Sequence, residues 1–143
     1  MKTESILTSC LVILAGAVPS LAPVPALAAP SEQILIEATA LQPPVLTTTV
    51  GHRVTFVNQA GQLAHVEFLV EHREGPSEHR VFQVPGEIWA EFYRPGRHQY
   101  VVHFSNHREP DLRGAVDVAD DPSGSVTPRV CDEVRVMGVC LEQ

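Results

Sequence analysis

From residue 33 to residue 118 short runs of β-branched and aromatic side chains alternate with Gly, Pro and Asn, and no long segment repeats its apolar residues at the helical period. This pattern predicts strands over 33–38, 45–50, 53–57, 65–70, 80–84, 88–93, 99–104 and 115–118. Turns are expected at Pro43-Pro44, Gly51, Asn58 to Gly61, Gly75-Pro76, Pro85-Gly86 and Pro95-Gly96. Strands at this spacing imply an all-β sandwich or barrel. Side chains alternate faces along a strand, so in "IWAEFY" Ile88, Ala90 and Phe92 share the core-facing side. In the next strand His98, Tyr100, Val102 and Phe104 share one face, and His103 lies on the other.

The first 30 residues do not belong to that pattern. Lys2, the apolar run from Leu11 to Ala22 and the small-residue site Ala26-Leu27-Ala28 read as an export signal over residues 1–28. Pro19, Pro23 and Pro25 interrupt the run, which falls short of the about 20 apolar residues a membrane span needs. "LTSC" ending at Cys10 resembles a lipoprotein cleavage box, but little apolar sequence precedes it, so lipidation is not expected. A periplasmic or secreted protein with one domain over 29–120 is expected. Residues 121–143 read as a linker followed by a hairpin bridged by Cys131 and Cys140, since an even cysteine pair in an oxidising compartment most often bonds. A loop that short implies about 2 to 3 kcal/mol of stabilisation in the chain-entropy account. The alternative use of Cys131, Met137 and Cys140 is a soft Cu(I) site. The net charge of -7, with acids and arginines interspersed, argues against a nucleic-acid partner, which needs clustered cations.

Two stretches together resemble the cupredoxins, the blue-copper family that includes plastocyanin. The first is "VGHRVTFVNQAGQLAHVEF", residues 50–68: a Gly turn, a strand ending in Asn58, a polar loop and a histidine opening the next strand. The resemblance puts His65 in the place of a copper ligand. The second is "PGRHQYVVHFSNHREPDLRGAVDV", residues 95–118, similar to the family's ligand loop Cys-x-x-His-x4-Met-x-Gly. Here that frame reads Phe104-x-x-His107-x4-Leu112-x-Gly114, so both sulfur positions carry apolar residues and the histidine survives. Eight residues separate Gly96 from Phe104 where the family usually has six, which preserves parity and leaves Phe104 facing inward. The resemblance implies a cupredoxin-like Greek-key sandwich. Blue-copper electron transfer depends on a thiolate ligand, and Phe104 cannot supply one.

Convergence of His65 and His107 would make a two-imidazole site suited to Cu(II), Zn or Ni. A third ligand is sought among His103, Glu67, Glu109 and Asp111; Glu67 shares the parity of His65, while His103 faces away from Phe104 unless the strand bulges. The competing reading is that Phe104 and Leu112 plug the vacated cavity, each burial contributing roughly 1.5 to 3 kcal/mol. His98 reads as a core-side imidazole bonded to backbone, His52 as exposed, and "EHREGPSEHR" as a solvated hairpin, with metal capture between His72, His79 and nearby acids as the lesser reading. Ser105 beside His103 and His107 lacks a nucleophile elbow and an orienting acid, so no enzyme is expected. The expected function is metal binding or handling, with copper as the cofactor and a periplasmic protein as a further partner. A metal-free interaction module is the alternative, and electron transfer through an atypical copper centre comes third.

Overall fold

The computed structural model describes residues 32–70, 76–123 and 131–141; the export signal over 1–28, His72 and most of the proposed linker lie outside these. Eleven strands and no helix are found among the described residues: β1 (Gln33–Ile36), β2 (Leu41–Gln42), β3 (Val45–Thr49), β4 (Arg53–Asn58), β5 (Ala64–Val70), β6 (Glu78–Val84), β7 (Glu87–Phe92), β8 (Gly96–Phe104), β9 (Leu112–Ala119), β10 (Val134–Val136) and β11 (Val139–Cys140). No helix of the described residues is long and apolar enough to cross a membrane. All eight strands predicted from alternation are present, with ends that coincide or differ by up to three residues.

The strands form two mixed sheets. Sheet A has the order β11-β10-β7-β4-β1-β2 and sheet B the order β3-β9-β8-β5-β6. Within them β1 runs parallel to β4, and β3 parallel to β9. Inner faces meet through Phe56, Phe68, Phe92 and Tyr100, whose rings pack edge to face or tilted. Ile88, Ala90 and Phe92 are buried as the alternation requires, and so are Tyr100, Val102 and Phe104. His98 donates from Nε2 to the Arg94 carbonyl at 2.8 Å and packs against Phe92 at 5.1 Å between ring centroids. His52 is exposed, with Nδ1 2.9 Å from Glu32 Oε1.

The C-terminal hairpin is part of sheet A. Val134, Arg135 and Val136 pair with Phe92, Glu91 and Ala90, so β10 covers what would otherwise be the open edge of β7. Met137 and Gly138 turn the chain back with φ of 47° and 89°, the left-handed pair a two-residue hairpin requires. Cys131 and Cys140 form the expected disulfide, Cα atoms 5.6 Å apart, which overturns the Cu(I) alternative. The Met137 sulfur accepts the Trp89 N–H at 3.4 Å. Trp89 itself lies under Arg53, whose Cζ is 4.0 Å from the ring centroid. Glu91 beside it binds Arg53 at 2.9 Å and the Tyr93 hydroxyl at 2.9 Å.

Candidate metal centre

The register of β5 decides where its histidine goes. Ala64, Val66, Phe68 and Val70 point into the core, which leaves His65, Glu67 and Leu69 on the outer face of sheet B. Ala64 therefore stands opposite Phe104, and His65 opposite His103. The inner position against Phe104 holds a methyl group, not an imidazole. His107 lies beyond the end of β8 in an exposed turn, with φ of 51° and its N–H bonded to the Phe104 carbonyl at 3.1 Å. Among the described residues no hydrogen bond or ion pair joins His107 to His65.

His65 thus faces outward on β5 and His107 sits in a separate turn. Phe104 is 2% exposed and packed in the core, with Leu112 partly buried against it. Both described cysteines are spent on the disulfide. These residues do not fit a blue-copper centre, because its inner position lacks both the thiolate and the first imidazole.

Two of the expected ligands do meet, on the other side of the sheet. His103 Nε2 lies 2.5 Å from Glu67 Oε2, and His103 Nδ1 lies 2.9 Å from Asp111 Oδ1. The second oxygen of Glu67 pairs with His79 Nδ1. Glu67 faces Val81 and Val101 in register, so His79 and His103 are its diagonal neighbours on the two flanking strands. Alternation made the parity of Glu67 and His103 readable. The contact with His79 was missed because it depends on how the chain returns from β5 to β6, and His79 read as a loop residue. His65 is half-buried beside this cluster.

A carboxylate only accepts hydrogen bonds, so an imidazole with one at each nitrogen is the doubly protonated cation. The Glu67 hydrogen bond, seconded by Asp111, raises the His103 pKa above its ordinary 6.5 against the effect of burial. The same bond from His103 lowers Glu67 below its ordinary 4.5, opposed by burial and helped by His79. The raised His103 adds stability that is full below 6.5 and lost as pH rises through its folded value; the lowered Glu67 adds stability that is full above 4.5 and lost as pH falls through its own. The stability difference between wild type and His103→Ala is expected to peak between those limits. Urea unfolding of both proteins across pH 4 to 9 (about that span) checks it; a gap that does not vary with pH would refute the ion pairing.

As the side chains stand, no three His, Cys, Asp or Glu among the described residues are placed to hold a metal ion. His103 and His79 hold different oxygens of Glu67. The donor chemistry nonetheless fits. Two imidazoles and a carboxylate suit Cu(II) or Zn(II), and a ligand histidine commonly gives its other N–H to a carboxylate, as His103 does to Asp111.

No known protein-family model matches the chain, and no curated protein does. Among solved structures the chain is similar to a purple cupredoxin from Nitrosopumilus maritimus, at 22% identity and a TM-score of 0.44 over 61% of this chain and 98% of that one. It is also similar to a reduced tryptophan-to-tyrosine mutant of amicyanin, at 22% identity and a TM-score of 0.46 over 61% of this chain and 80% of that one. A reduced Cu(I) form of a proline-to-glycine mutant of amicyanin gives 21% identity and a TM-score of 0.48 over 66% and 87%. Overlaps this loose carry no weight for function, and the two-sheet all-β architecture rests on the strand pairing itself.

Proposed function

We propose that this chain binds a divalent transition-metal ion, Cu(II) or Zn(II), on the outer face of sheet B through His103, Glu67 and His79, and serves metal binding or handling in an exported, oxidising compartment. The observation that carries the reading is the convergence of His103 and His79 on the two oxygens of Glu67, with Asp111 orienting His103 from behind. The ion would replace the protons that now bridge these groups. The Cys131–Cys140 bridge is in keeping with that compartment. Electron transfer of the blue-copper kind has no support, since among the described residues both cysteines are in the disulfide.

Calorimetry with Cu(II) and with Zn(II), together with Cu(II) EPR, tests the proposal. One equivalent is expected to bind and to give a weakly coloured centre with nitrogen and oxygen donors. His103→Ala and Glu67→Gln are expected to abolish the stoichiometric site, and Asp111→Asn to weaken it roughly 10- to 100-fold. His107→Ala is expected to leave it intact. Absence of stoichiometric binding would favour the second reading, a metal-free interaction module, for which the closed, fully paired cluster speaks.

A further inference from the structure

We infer that Met137 is an oxidation site: a hydroperoxide converts its thioether to a sulfoxide, whose oxygen takes over the hydrogen bond from the Trp89 N–H and tightens the hairpin tip on β7. Met137 is the one methionine in the sequence beyond Met1. It holds the first of the two loop positions between β10 and β11, 49% exposed and with φ of 47°. Neither circumstance favours a methionine. Two-residue hairpin loops with both residues left-handed prefer Asn and Gly, and a half-exposed thioether gains little from burial. What the side chain contributes instead is its sulfur. The Met137 N–H donates to the Trp89 carbonyl at 3.1 Å and the sulfur accepts the Trp89 N–H at 3.4 Å, so the thioether fills the acceptor place of a strand carbonyl.

A thioether sulfur is a weak acceptor with two lone pairs, and one of them is directed at this N–H. The other is the nucleophile. It attacks the terminal oxygen of a hydroperoxide, the O–O bond breaks, that oxygen stays on sulfur, and the departing oxygen takes the hydroxyl proton and leaves as water or an alcohol. Sulfur loses two electrons and the peroxide gains them. The product is polar where the thioether was apolar. Its oxygen is the stronger acceptor, and a half-exposed side chain has room to withdraw and set that oxygen, in place of sulfur, against the N–H. Among the described residues Met137 carries the one sulfur left to oxidise, because Cys131 and Cys140 are already bridged.

Trp89 is the only tryptophan, so the full chain made with isotope-labelled tryptophan gives a single backbone amide signal to follow by NMR. Hydrogen peroxide is expected to add one oxygen atom to Met137, located by mass spectrometry of peptides. The Trp89 amide signal is expected to shift in step with that addition, and its hydrogen exchange to slow about fivefold. Met137→Leu is expected to show neither change under the same treatment. No oxygen on Met137 at a peroxide dose that oxidises free methionine would overturn the inference. So would an oxidised chain whose Trp89 amide exchanges as fast as before or faster, or a peroxide-induced shift of the same size in Met137→Leu.

Discussion

Gly114→Ala is expected to destabilise the fold by about 3 kcal/mol, a heavy loss for one methyl group. Gly114 on β9 pairs with Tyr100 on β8, and the tyrosine ring lies across the glycine towards Leu41. A Cβ at this position would stand 2.3 Å from both Cζ and the hydroxyl oxygen of Tyr100, and 2.9 Å from Leu41 Cδ1. The ring has nowhere to go, because Phe56 packs edge-on against it at 5.1 Å and Phe68 lies at 6.2 Å. Relief must come from the backbone of β9, where Leu112 and Arg113 lead directly from Asp111 to Gly114. Urea unfolding reads the loss, and Tyr100→Leu in the same chain is expected to recover part of it. A cost below about 1 kcal/mol would show that the sheet yields where the packing says it cannot. Tyr100→Phe is a milder companion: the hydroxyl is buried without a partner, and its removal is expected to be neutral or stabilising.

Building a blue-copper site into this fold is expected to need two inner-face changes rather than one. In the ligand-loop frame Phe104 holds the cysteine position, so Phe104→Cys alone would suffice if His65 and His107 were the imidazole ligands. The pairing of Ala64 with Phe104 predicts otherwise: the new thiol would face a methyl group while His65 points out beside His103. Phe104→Cys with Cu(II) is therefore expected to give no intense thiolate absorption. Ala64→His combined with Phe104→Cys is expected to give it, with His107 completing the nitrogen set. Far-UV circular dichroism establishes that both variants are folded. An intense visible band from the single variant would mean that His65 reaches the inner site after all, and would contradict the pairing of Ala64 with Phe104.

The same strand shows how much the sequence alone could tell. "AHVEFLV" alternates as Ala64, Val66, Phe68 and Val70 inward against His65, Glu67 and Leu69 outward, and the structure keeps that division. The parity that joins His65 to Glu67 was therefore legible. The family frame was matched one residue out of step, and a one-residue slip in a strand moves every side chain to the opposite face. Asp111 was legible as a candidate acid, but its attachment to His103 required β8 and β9 to be paired and the intervening turn to close. For the C-terminal hairpin the cysteine count and the spacing of "VCDEVRVMGVC" predicted a bridge, and nothing in the segment itself said that it would dock on β7.

What the sequence determined by itself is local: the strands, the face each side chain takes, the disulfide and the apolar residues at positions 104 and 112. These follow from the two-residue alternation of the extended chain and from the identity of single residues. Only the tertiary structure decided which strands are neighbours and at what register, and with that the grouping of Glu67, His79, His103 and Asp111. The physical reason is that a cross-strand contact is set by loop closure and by burying the inner faces of both sheets at once, a condition on the whole chain that no short stretch carries.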